Sequence, residues 1–155
     1  MPPVTSLPWS SGVVVTFLIV QLLVPLRGLA YPGRASWTEE GQWFAWRMKL
    51  DDKRCQARLL LRESDGTLLR DVDPADLLSE RQTLLMSGNP DMLVQFAAYI
   101  AEDRLGAAGS EDIAVTADVW CALNGRRPQQ LIDPLVDLTT VRRGFIHNDW
   151  VLPLR

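Results

Sequence analysis

The first 26 residues carry no charged side chain, although the rest of the chain holds all 16 basic and all 19 acidic residues. No other feature constrains the fold as strongly. Within this stretch GVVVTFLIVQLLVPL, residues 12–26, is apolar apart from Thr16 and Gln21, with Pro8-Trp9 before it and Arg27 and Tyr31 after it. A bilayer core is crossed by roughly 20 mostly apolar residues, and residues 8–27 supply them. Trp9 and Tyr31 then fall near the two interfaces, where aromatic side chains collect. Two other readings compete. A secretory signal has a similar apolar centre, and Gly28-Leu29-Ala30 has the small residues of a cleavage site, but the basic leading region of such signals is missing. A buried core helix is the other, because Gln21 and Pro25 suit a lipid-facing surface poorly. Both are tolerated best where neighbouring helices pack against a span. The reading adopted is one transmembrane helix at about residues 10–29, in a hydrophobic unit 1–30 followed by a soluble unit 31–155.

The soluble part is long enough to bury a core of its own. A net charge of -3 gives no overall basic field, so nucleic acid is not expected as a partner. Lys49 and Lys53 are the only lysines. Pro25, Gly28, Pro32 and Gly33 end the helix and turn the chain. GQWFAWRMKL and RCQARLLLRE alternate as strands, with Asp51-Asp52-Lys53 as their connection. Lys49 lies between Met48 and Leu50 in the first of them, on its exposed side. In the second, Cys55, Ala57, Leu59 and Leu61 share one face. Asp65-Gly66 turns the chain into a third strand around Thr67 to Arg70. Asp73-Pro74 and Ser79-Glu80 start short helices. NPDMLVQFAAYIAEDRLG is the clearest helix, capped by Asn89, with Phe96, Ala97 and Ile100 on one side and Gly106 as its stop. DIAVTADVWCAL follows as a strand. Strands, helices and a strand again argue for an α+β fold: an antiparallel sheet with helices on one side, preceded by the hydrophobic helix.

Complete catalytic machinery is missing from the sequence. Cys55 and Cys121 fall on inward strand positions far apart, and are expected as small buried hydrophobes rather than a disulfide. One histidine, His147, makes no metal cluster with them. No phosphate loop or nucleophile elbow occurs. Glu39-Glu40 are expected as a solvated turn.

Four separated stretches carry a resemblance: QLLVPLRGLAYPGRASWTEEGQWFAWRMKL, PDMLVQFAAYIAEDR, DVWCALNGRRPQQLIDPLVDL and NDWVLPL. In order and comparable spacing they resemble the vitamin K-dependent gamma-carboxylase family, which includes bacterial members with the HTTM membrane domain. The resemblance starts at about Val14. It identifies the N-terminal helix with the family's last membrane helix and the remainder with its C-terminal domain. Such enzymes are integral membrane proteins that oxidise reduced vitamin K and use the resulting base to carboxylate glutamate side chains. Their chemistry, including a basic lysine, belongs to the multi-helix membrane part, and neither Lys49 nor Lys53 occupies that motif.

The resemblance therefore implies a substrate- or partner-binding module without catalytic residues of its own, or one subunit of a split carboxylase-like enzyme. No cofactor or metal is expected in this chain, and vitamin K hydroquinone is implied for a complete family member. Implied partners are a multi-helix membrane protein and a glutamate-containing peptide. The segment Trp37 to Trp46 resembles the stretch associated with the substrate glutamate. Its donors would be backbone N–H groups near Gly41, the indole N–H of Trp37 or Trp46, and Arg47, with Thr38 completing the motif. Ala45 departs from the vertebrate-type pattern, which has serine there. Asn124, Gly125, Arg126, Asp133 and Asp137 form a clasp in which Arg126 and Arg127 can pair with the aspartates. The family places the domain outside the cytoplasm, whereas Arg27 and Arg34 beyond the helix argue for the opposite side.

Overall fold

The charge-free stretch folds as helix α1, Trp9–Leu26, and a 3-10 turn over Arg27–Ala30 ends it. Pro25 sits in its last turn, where loss of one N–H and one carbonyl contact does not break the helix. Ser11–Ala30 is long and apolar enough to cross a membrane, and none of it is buried against the rest of the chain. The computed structural model describes residues 9–41, 45, 51–63, 65–108, 113–142 and 147–155. Most of the strand expected at 41–50, including Trp46, Arg47 and Lys49, lies outside the described residues.

Behind α1 and a single-turn helix α2, Ala35–Thr38, come β1 (Lys53–Glu63), β2 (Leu68–Val72), α3 (Glu80–Ser87), α4 (Pro90–Ala108), β3 (Ile113–Leu123) and β4 (Gln129–Gln130). The strands form one antiparallel sheet in the order β2-β1-β3-β4. Alternation decides its two faces. Ala57, Leu59 and Leu61 of β1 and Ile113, Val115, Ala117, Val119, Cys121 and Leu123 of β3 are buried. The residues between them look outward. Leu93, Phe96, Ala97 and Ile100 of α4 cover the buried face at helical spacing. The fold is α+β, with helices on one side of the sheet and one apolar helix in front.

The helix starts follow local chemistry. Asp73 accepts from the Ala75 N–H at 3.0 Å ahead of a short 3-10 helix, Ser79 and Gln82 form a reciprocal capping box on α3, and Asn89 Oδ1 accepts from the Met92 N–H at 3.2 Å. At the β1–β2 turn the Thr67 N–H bonds Asp65 at 2.7 Å and holds its carboxyl below the ordinary range. Gly106 does not stop α4, which continues to Ala108. A mid-helix glycine costs only about 1 kcal/mol, less than the packed face of α4 contributes.

Cys55 and Cys121 correct the sequence reading, because they form a disulfide. They are 66 residues apart in sequence yet direct partners in the β1–β3 register, with Cα atoms 4.1 Å apart. Face alternation put both inward but could not supply the register that sets them side by side.

Candidate functional site

Between the end of α1 and the sheet the chain makes a tight turn, Trp37 to Gly41. Thr38 and Glu39 bond back to the carbonyls of Arg34 and Ala35 at 3.0 Å, closing α2. Glu39 then takes a left-handed φ of 61° and reverses the chain. The turn is buried throughout: Trp37, Thr38, Glu39 and Glu40 all lie inside the protein. Glu39-Glu40 is therefore not the solvated turn expected from sequence. Neighbours on a reversing chain point apart, and each carboxylate finds its own cation or donor inside.

Lys53, the first residue of β1, serves Glu39. Its Nζ donates to the carbonyls of Trp37 and Gly88 and lies 3.8 Å from Glu39 Oε1. It also sits 5.5 Å from the Trp37 ring centroid, over the indole face. Only 3% of the Lys53 side chain and 5% of that of Glu39 are exposed, so the charges neutralise each other away from water. With two carbonyls accepting from it and a carboxylate within ion-pair distance, Lys53 is held as a structural part of the turn.

Glu40 is served from the C-terminal segment. Its carboxylate accepts from the Asn148 N–H at 2.7 Å and meets His147 Nδ1 at 2.9 Å. The same segment fixes the tryptophan, since Trp37 Nε1 donates to the Leu152 carbonyl at 2.7 Å. Thr38 Oγ1 accepts from the Glu40 N–H at 3.3 Å. Gly41 closes the turn at φ 66°, and a Cβ there would lie 2.7 Å from the Tyr31 ring and 3.0 Å from Gly28 Cα. The turn is thus bound to β1, to the α3–α4 junction, to the C-terminal segment and to the end of the apolar helix.

Of the expected glutamate-contacting residues, the turn brings Trp37, Thr38 and Gly41 together, while Trp46 and Arg47 lie outside the described residues. The Trp37 indole N–H is spent on Leu152, so it is not an available donor for a ligand. The sequence reading overlooked Lys53, Glu39, Glu40 and His147. A signal was present in the rarity of two of them: one of two lysines and the only histidine.

The β3–β4 connection is held differently from the arginine–aspartate pairing expected. Asn124 takes a left-handed φ of 51°, followed by Gly125 at 72°. The Asn124 side chain accepts from the Asp52 N–H and donates to Asp51 Oδ1, both at 2.9 Å. Asp133 Oδ1 caps the Leu135 N–H at 2.9 Å. Asp137 Oδ1 accepts from Val115 N–H and Thr139 N–H at 3.0 Å, tying the loop to β3. Among the described residues no ion pair joins Arg126 or Arg127 to Asp133 or Asp137; both arginines are exposed. Short acceptors reach the backbone directly, and long guanidinium chains are not needed there.

An apolar helix leading into a sheet, with a buried polar turn clamped at their junction, defines an α+β module whose leading helix is long and apolar enough to cross a membrane. The family model of the vitamin K-dependent gamma-carboxylase lumenal domain matches residues 7–155, and the chain belongs to that family. No solved structure matches the chain. The lumenal-domain family and the apolar helix together fit a membrane protein whose domain lies outside the cytoplasm.

Proposed function

We propose that this chain is the substrate-holding module of a gamma-carboxylase-like HTTM membrane protein, presenting a glutamate-bearing peptide to chemistry performed elsewhere. The observation that carries this is the Trp37–Gly41 turn, locked on all sides immediately after a helix long enough to span a bilayer. In this reading the chain beyond Gly41 starts from a fixed point close to the membrane-spanning helix. Fixed placement of a substrate group is worth far more to a reaction than affinity alone. Glu39 and Glu40 do not oppose a substrate carboxylate in this arrangement, because Lys53, His147 and Asn148 already engage them.

Vitamin K hydroquinone and the base that acts with it belong, in this reading, to partner membrane helices. Lys53 is committed to the fold and does not fit the role of that base. Gln21 and Pro25 of α1, none of which is buried in the chain, favour such a partner, since each leaves polar groups that other helices can satisfy. The split-subunit reading differs only in whether those helices come from a separate chain. An extracytoplasmic domain is supported by the disulfide, which persists in oxidising compartments. That outweighs the two arginines, Arg27 and Arg34.

The test supplies the chain, in mild detergent, with vitamin K hydroquinone, bicarbonate and a glutamyl peptide. Mass spectrometry is expected to find no carboxylated glutamate with this chain alone, and carboxylation once a multi-helix family membrane part is added. Turnover by the isolated chain would refute the proposal.

A further inference from the structure

Helices cover one face of the sheet, and on the other stands Trp120 of β3, 46% exposed. So large a ring gains most from contact with a second flat surface. Its register partners are Gln56 of β1 on one side and Gln130 of β4 on the other. Directly opposed residues of an antiparallel pair share a face, with Cβ atoms about 5 Å apart. The indole is therefore flanked by two side-chain amides.

Several polar groups around the ring remain open. Among the described residues, the Trp120 indole N–H and the Gln56 amide bond no protein group, and Gln56 is exposed. Gln130 Nε2 donates to Asp118 at 3.2 Å, which leaves its Oε1 open. Gln129 is occupied: its Nε2 donates to the Arg155 carbonyl and its Oε1 accepts from the Arg155 N–H, both at 2.9 Å. That double bond of one amide to one residue holds the C-terminal segment beside β4. A groove of about 310 Å³ results, with Trp120 as one wall and Pro128, Leu152 and Pro153 as others. Small-molecule sites run upward from roughly 300 Å³, so this one suits a small ring unit.

We propose that this face is a carbohydrate site, taking a neutral oligosaccharide of β-linked, gluco-configured pyranose units. Such a ring carries its hydroxyls equatorial and its ring hydrogens axial. Its face is thus apolar enough to lie on an indole, while every hydroxyl at its rim both donates and accepts. Trp120 supplies the flat platform. Its N–H, the Gln56 amide and Gln130 Oε1 offer both kinds of hydrogen-bond partner around it. The exposed Arg155 side chain in the groove and the Asp118 carboxylate two residues from Trp120 have opposite signs, so the face favours a neutral ligand over an ion. The inference is independent of the substrate-holding reading. Leu152 joins the two places, because it lines the groove and its carbonyl accepts the Trp37 indole N–H.

Titration calorimetry of the full chain, in a detergent without a sugar headgroup, tests this with cellotriose, triacetylchitotriose and α-linked mannotriose. At least one of the first two is expected to bind saturably, and mannotriose, whose axial hydroxyl breaks the flat face, about tenfold more weakly. Trp120→Ala should weaken the bound sugar about tenfold, the scale of an aromatic anchor. Trp120→Leu keeps apolar bulk without a flat ring and should lose as much, whereas Trp120→Tyr should retain most of the binding. Circular dichroism is expected to be unaltered in all three variants. Absence of binding by the natural chain would overturn the proposal, as would Trp120→Ala or Trp120→Leu binding as well as the natural chain. A dimer abolished by Trp120→Ala would give the face to a second copy of the chain, and the carbohydrate assignment would fail.

Discussion

Two regions of this protein are equally dry and are built from opposite materials. The inner face of the sheet buries Leu59, Leu61, Val115 and Val119 against α4, with no polar side chain among them. The Trp37–Gly41 turn buries two carboxylates, a threonine and the ammonium of Lys53. Apolar burial is non-directional and needs no specific partner for each side chain. A buried charge requires each partner in place, because an orphaned one costs far more than the pair contributes. The apolar face therefore makes the domain fold, and the polar turn fixes where one short segment sits relative to the helix before it.

Cys55 and Cys121 link these regions, since the cross-link lies beside Gly88, whose carbonyl holds Lys53. Replacing both cysteines by alanine should produce the largest loss, about 4 kcal/mol for a closed loop of this length on the chain-entropy account, read as a lower urea midpoint. A change below about 1 kcal/mol would mean that the sheet register alone holds the strands.

Breaking the polar turn comes next. Lys53→Met should cost about 3 kcal/mol by removing the cation 3.8 Å from buried Glu39 and the donor to the Trp37 and Gly88 carbonyls. Adding Glu39→Leu to it should recover part of that loss, because the buried carboxylate that faced Lys53 disappears with it. A double variant as unstable as the sum of the two single ones would show that the groups do not act as a pair.

The smallest effects separate geometry from contact. Gly41→Ala should cost about 2 kcal/mol, combining a left-handed backbone with a Cβ driven into Tyr31. Gly125→Ala shares the positive φ but meets nothing within 4 Å, so about 1 kcal/mol is expected. Equal losses in thermal melts would remove the Gly28–Tyr31–Gly41 contact from the account.

The same contrast explains what could be read from the amino acids. Alternation in β1 and β3, the caps at Asp73, Ser79 and Asn89, and the charge-free helix are local patterns, and each stood in the sequence before the fold was known. Register is not local, so the Cys55–Cys121 pairing was invisible. Nor could any spacing rule have joined Glu40 to His147, 107 residues away. Family motifs drew attention to Trp37, Thr38 and Gly41, but the indole that looked like a ligand donor proved to be spent on Leu152. The groove at Trp120 was hidden for the same reason: Arg155 and Pro128 become neighbours only after the C-terminal segment lies beside β4.

Whether the turn is truly part of the rigid fold can be measured directly by hydrogen exchange in detergent, comparing the Glu39 and Glu40 amides with those of β3. The account predicts slow exchange of both groups in the natural chain, with Lys53→Met accelerating the turn amides by orders of magnitude while β3 keeps most of its protection. Turn amides that exchange freely in the natural chain, beside a protected β3, would contradict the claim that buried charges lock this segment to the domain.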